Sequence, residues 1–293
     1  MFLSAILYYG CKKDRIKQQQ LNTYDSPDPY LDEKKPKEQE FTIDTTGTGP
    51  IVGNQGTKIW GGKTCLMYPN GDSVYYPFTI KLVELYKPKD MIYYRMPTVA
   101  GGNILRTDGE IRLRAFKGAT ELVLRPNPCF AQVEMPNSAP RNDMAVFYGF
   151  EANGLPDWTN NPKSLGAVSK SDSLFTATSY GYTAAIGRLG WINCDKFASS
   201  LPASTLTFES TVDDLANVKF FIYFPSTKTV MQVYNSTSFN IPNGSAVKII
   251  GIGLSGGNLY HYYTEMTVNA STAIDVEMKS ISDADLTTLL TNL

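Results

Sequence analysis

Between residues 56 and 116 apolar and polar side chains alternate in short runs: G-T-K-I-W, P-F-T-I-K-L-V-E-L-Y, D-M-I-Y-Y-R-M-P-T and I-L-R-T-D-G-E-I-R-L-R-A-F. A period of two sends successive side chains to opposite faces of a strand, and the Asn70-Gly71 and Asp108-Gly109 pairs between the runs read as tight hairpin turns. Phe78, Ile80, Leu82 and Leu85 are expected to face inward, with Lys81 and Glu84 left in water. The pattern places strands at about 41–46, 56–61, 63–68, 77–86, 110–116, 119–124, 129–135 and 144–149. Lys87-Pro88 can open a helical turn before Met96.

Residues 136–172 carry Pro136, Pro140, Pro156, Pro162 and the Asn160-Asn161 pair, and read as a loop-rich connection. A second set of strands follows from Ser204 to Glu277, punctuated by Asn243-Gly244 and Gly256-Gly257 at the spacing of a β-sandwich. Ser282 and Asp285 form a capping-box-like start to a C-terminal helix whose apolar face is Leu286, Leu289, Leu290 and Leu293. The expected fold is therefore all-β: two β-sandwich-like domains in tandem, at 41–172 and 173–293, with a short C-terminal helix.

The N-terminus breaks this pattern. Residues 1–11 are an apolar run ending in Gly10-Cys11, which resembles the end of a bacterial lipoprotein signal and makes Cys11 the lipid-attachment residue. Tyr8 stands where that signal prefers Leu, and no Lys or Arg precedes the run. A buried N-terminal strand is the alternative. Residues 12–40 are charged, Gln-rich and poor in large aliphatic residues, so they are expected to form a disordered tether. Leader, cysteine and polar tether follow in the order of a lipoprotein, and acyl chains at about 0.8 kcal/mol per buried methylene would hold it to a bilayer.

Composition narrows the chemistry. The 293 residues carry a net charge of −1 and no basic stripe, which argues against nucleic acid as a partner. The single histidine, His261, lies in the alternating L-Y-H-Y-Y run, with no second histidine to make a metal site or an acid–base pair. No metal or cofactor is expected. Cys65, Cys129 and Cys194 fit no zinc spacing and read as buried apolar residues, with a Cys65–Cys129 bridge as the alternative. Asp143, Glu151 and Asp157 show no spacing that would make a glycosidase pair. P-loop, dinucleotide and Gly-x-Ser-x-Gly fingerprints are all missing. Trp158, Tyr180 and Tyr182 lie in loops rich in Asn and Ser, where exposed rings could stack on sugars. Trp191, Asn193 and Asp195 of the G-W-I-N-C-D string are expected at a structural junction between the domains, Trp191 as a core plug and the two polar residues bonding backbone. A binding triad is the other reading of these three.

The strand runs of 56–116, with F-Y-G-F, D-W-T and R-L-G-W-I-N-C-D-K-F, resemble a group of uncharacterised surface-anchored lipoproteins of Bacteroidetes-type bacteria. In that group the N-terminal part is similar to the ZU5-like β-sandwich. Some ZU5-related modules cleave themselves through a His-Ser type motif, but no histidine precedes residue 261 here. The resemblance implies a location and a fold without a reaction: a non-enzymatic lipoprotein of the outer membrane, on its periplasmic or extracellular face, held to the membrane by its lipid and acting as a structural or interaction module. The alternative is a cell-surface module that binds a glycan or protein through the loop aromatics.

Overall fold

The computed structural model describes residues 21–45, 49–61, 63–198 and 202–293. The leader, Cys11 and the first part of the expected tether lie outside these residues. The described chain is mostly strand, arranged in several sheets with three helices.

The largest sheet runs in the order Gln39–Ile43, Phe78–Leu85, Asn103–Lys117, Gly190–Phe197, Ala145–Ala152, Leu155–Thr159. A second sheet of Thr176–Ala177, Gly181–Ile186, Ala131–Pro136, Lys58–Trp60 and Ile51–Val52 faces it. Ile80, Leu82, Ile111, Leu113 and Ile192 from one sheet, and Val133, Met135, Tyr182 and Ile186 from the other, form a single apolar core. Cys65 is bridged to Cys129, so this pair forms a disulfide while Cys194 stays free and buried.

The second half is built on the sheet Thr229–Val233, Lys219–Phe224, Ser245–Ser255, Asn258–Val268, Lys279–Ser280. Phe220, Ile222, Phe224 and Ile249 pack on one face, against Phe208 and Ile274 of the parallel Leu206–Glu209 and Thr272–Asp275 strands. The opposite face, with Phe221, Tyr223, Ile250 and Ile252, packs against Val83, Leu85, Leu105, Phe147 and Trp158 of the large sheet. Thus the two halves share a third core. Two backbone bonds cross it at its edge, from Thr98 to Val230 (2.8 Å) and from Thr107 to Thr227 (3.0 Å). All three helices contribute. Leu31 of Asp28–Lys34, Met91 and Ile92 of Pro88–Tyr94, and Leu286 and Leu290 of Asp283–Thr291 belong to it. The C-terminal helix starts as its sequence predicts, with the Ser282 hydroxyl accepting from the Asp285 amide at 3.1 Å.

Four expectations need correction. Residues 21–40 are folded, although they are poor in aliphatic residues. Backbone pairing stitches Asn22 to Val212 and Asp214, and Asp25 to Leu254, while Tyr24 and Leu31 bury their side chains. Bonds from Asn22 and Tyr24 to Asp213 and the ion pairs Lys34–Asp283 and Arg95–Asp32 add to these contacts. The division between the halves falls after residue 198 rather than at 172, because Gly181–Ile186 and Gly190–Phe197 pair within the first two sheets.

Asp108-Gly109 is not a turn: Asn103–Lys117 runs straight through it. Gly109 has φ of +129°, and a Cβ there would lie 2.2 Å from the Tyr86 ring, so glycine is needed for the close approach of that ring. Glu84 is buried rather than wet. It accepts from the Gln55 and Thr57 amides, both at 2.9 Å, and from the Gln39 side chain at 2.8 Å. The 82–85 end of the strand is covered on both faces, so Glu84 has no route to water, whereas Lys81 stays partly exposed and pairs with Glu40 at 2.5 Å.

Candidate functional site

The polar chemistry of the molecule gathers where the large sheet meets the second half. Asn103–Lys117 and Gly190–Phe197 pair antiparallel, with Asn193 opposite Glu110 and Asp195 opposite Thr107, and the register shifts between them. The irregularity brings Asn193 and Asp195 together, so that the Asn193 amide donates to Asp195 Oδ2 at 2.6 Å. Thr107 Oγ1 donates to Asn193 Oδ1 at 3.0 Å. Glu110 and Asp195 are both 0% exposed. Neither carboxyl oxygen of Glu110, nor Oδ1 of Asp195, has a hydrogen-bond partner among the described residues.

Burial pushes the Glu110 carboxyl well above the usual carboxylate range, and the neighbouring Asp195 adds to the shift. Burial likewise raises Asp195. A carboxyl with no donor to stabilise its anion holds a proton most readily, which makes Glu110 the proton carrier of the pair. Burial also raises the Cys194 thiol, so that position carries a thiol and not a reactive thiolate.

Asp108 links this interior to the surface. Its buried carboxylate accepts from the Tyr182 hydroxyl (2.5 Å) and Arg141 (2.8 Å), and pairs with Lys228 of the second half at 3.4 Å. Burial, and then the bond to Asp108, push the Tyr182 hydroxyl upward. Above Asp108 a cleft of about 630 Å³ opens between the halves. Ile104, Arg106, Lys196 and Phe197 from the large sheet, Arg141, and the turn Pro242–Ala246 line it. Asp143 stands on its wall in an ion pair with Lys196.

The expected aromatic platform does not exist. Trp158 is buried in the shared core, its indole N–H donating to the Pro97 carbonyl at 2.6 Å. Tyr182 is buried in the core of the first sandwich. Tyr180 is half-buried, hydrogen-bonded to the Gly56 carbonyl and covered by the Lys58 ammonium 3.4 Å from its ring centre. The three rings belong to separate surroundings, and two have no access to a ligand. Aromatic side chains in Asn- and Ser-rich sequence read as exposed, but here their neighbours are strands.

Trp191 is half-buried rather than a full core plug. It packs against the shared core, edge-on to Tyr94 (ring centres 5.6 Å apart) and under Arg112. Asn193 and Asp195 bond to each other and to Thr107, not to turn backbone, because they lie inside a strand. His261 is half-buried, its Nδ1 3.1 Å from the Lys279 carbonyl. Among the described residues no group of three His, Cys, Asp or Glu side chains could hold a metal ion. Asp157 accepts from the Gly101 amide at 2.9 Å.

Sequence reasoning missed Arg106, Asp108 and Glu110. The one irregularity in the sequence there is T-D-G-E, a polar run inside an otherwise alternating strand, and it does not report what covers either face. No protein-family model, curated protein or solved structure matches this chain.

Proposed function

We propose that this chain is a non-enzymatic lipoprotein of the outer membrane or cell surface, anchored through Cys11, which serves as a structural or interaction module. The observation that carries the reading is the Cys65–Cys129 bridge, which suits an oxidising compartment outside the cytosol. The order of apolar leader, cysteine and polar segment supports the same placement. The buried acids argue for structure over catalysis: Glu110 and Asp195 have no path to a substrate, and Cys194 is held as a thiol. The ZU5-like character of the first sandwich belongs to this proposal. Glycan binding through Trp158, Tyr180 and Tyr182 does not.

The folded segment 21–40 alters the geometry of such an anchor. Only residues 12–20 lie between Cys11 and the first described residue, Leu21, and nine residues span at most about 32 Å. Asn22 and Asp25 are held by the second half, which would therefore be the half nearest the bilayer. Metabolic labelling with a palmitate analogue in a bacterium that processes lipoproteins tests the anchor. The wild type takes up label and Cys11→Ala does not. An unlabelled wild type, or a labelled Cys11→Ala variant, overturns it.

A further inference from the structure

We propose that the cleft between the two halves binds an oxyanion, a phosphate, sulfate or carboxylate group carried by a ligand that fits a space of about 630 Å³. This inference stands apart from the lipid anchor. Its first support is a relationship within the large sheet. Arg106 and Lys196 occupy directly paired positions on neighbouring antiparallel strands, and both line the cleft. Opposed like charges at such a pair weaken a sheet. Lys196 is partly compensated by Asp143. The Arg106 guanidinium has no hydrogen bond, ion pair or ring contact among the described residues, so its charge faces the cleft uncompensated.

The second support is the local charge balance. Arg106, Arg141, Lys196 and Lys228 meet only Asp108 and Asp143, and Asp108 already serves both Arg141 and Lys228. Of these, Arg106, Arg141, Lys196 and Asp143 line the cleft, three cations against one carboxylate, while Asp108 and Lys228 outside the lining offset each other, in a chain whose net charge is −1. The excess is held in place, since Arg141 is fixed by a carboxylate that is itself almost fully buried.

Third, the opposite wall carries neutral polar groups. Ser226 and the Asn243-Gly244 turn face the cations across the cleft, and the Asn243 side-chain oxygen is occupied by the Ser204 hydroxyl at 2.6 Å. The Asn243 and Gly244 backbone amides are taken by the Pro202 and Val268 carbonyls, so the donors on this wall are the Asn243 side-chain nitrogen, which has no partner among the described residues, and the Ser226 hydroxyl. Guanidinium forks on one wall and neutral donors on the other suit the several acceptor oxygens of an oxyanion. Exposed Phe197 at the rim offers an apolar surface for the part of the ligand that carries the group.

The test is isothermal titration of the full chain, in low-salt buffer, with sodium phosphate, sodium sulfate and sodium acetate, each against sodium chloride at equal ionic strength. At least one of the three oxyanions binds at a single site, and the one that binds identifies the group. Arg106→Gln weakens that binding at least tenfold, and Lys196→Gln weakens it as well. In chloride, the thermal midpoint of Arg106→Gln equals or exceeds that of the wild type, because the substitution removes a like-charge opposition; this also shows that the variant folds. Binding of none of the three beyond chloride overturns the proposal. So does binding that Arg106→Gln leaves unchanged.

Discussion

Glu110 lies directly opposite Asn193 across two central strands, yet the Asn193 amide is turned to Asp195, and both Glu110 oxygens are left without a partner among the described residues. Its carboxyl therefore stays protonated in the folded protein above the pH at which it ionises in the unfolded chain. The unfolded state then binds fewer protons than the folded one, and stability falls as pH rises through that window. The loss begins near the ordinary glutamate value, about pH 4.3. Glu110→Gln removes the titration while keeping the shape. Urea midpoints from pH 4 to pH 8 should show the wild type losing stability relative to Glu110→Gln as the pH increases. A difference independent of pH would contradict a raised Glu110.

The Cys65–Cys129 bridge closes a loop across 64 positions of sequence, joining the segment before the 66–67 strand to the loop before the 131–136 strand. By loop-closure entropy, such a cross-link stabilises by about 4 kcal/mol. The double variant Cys65→Ser, Cys129→Ser should lose stability of this order in denaturant, and reductant should shift the wild-type midpoint towards that of the variant. Cys194→Ser should leave the response to reductant intact.

Leu31 reaches the shared core from a segment whose composition suggests disorder, and it is 0% exposed. Leu31→Ala should cost about 2–5 kcal/mol, the range of a buried leucine truncation. If residues 21–40 were a tether, the same substitution would leave the unfolding midpoint unchanged.

The two tryptophans of this region separate by burial. Trp158 is enclosed and hydrogen-bonded through its indole, so Trp158→Ala should cost about 3–5 kcal/mol. Trp191 keeps one side open and rests on Tyr94, so Trp191→Ala should cost less, about 2–3 kcal/mol. Equal losses from the two would place Trp191 deeper than it is.

Legibility in the sequence followed the number of faces a strand buries. The 219–224, 229–233, 245–255 and 258–268 strands were readable because β-branched and aromatic runs end at Asn243-Gly244 and Gly256-Gly257 turns. The capping residues Ser282 and Asp285 declared the last helix. Strands such as Gly181–Ile186, with G-Y-T-A-A-I, hid because small residues dominate where the facing sheet comes close. The site was the least legible part. Arg106, Asp108 and Glu110 look like the wet side of a strand or a turn, and only tertiary packing on both faces of the sheet makes them a cleft cation, a buried anchor and a sealed acid. Local pattern reports one covered face; it carries no trace of a second sheet arriving from about a hundred residues later in the chain.

That second sheet gives the molecule its unity: Val83, Leu85 and Phe147 share one core with Phe221, Ile250 and Leu286, and Thr98 and Thr107 bond across it. Differential scanning calorimetry of the disulfide-intact chain measures this directly. One transition is expected, with calorimetric and van't Hoff enthalpies equal. Two separable transitions, one for each half, would contradict the shared core.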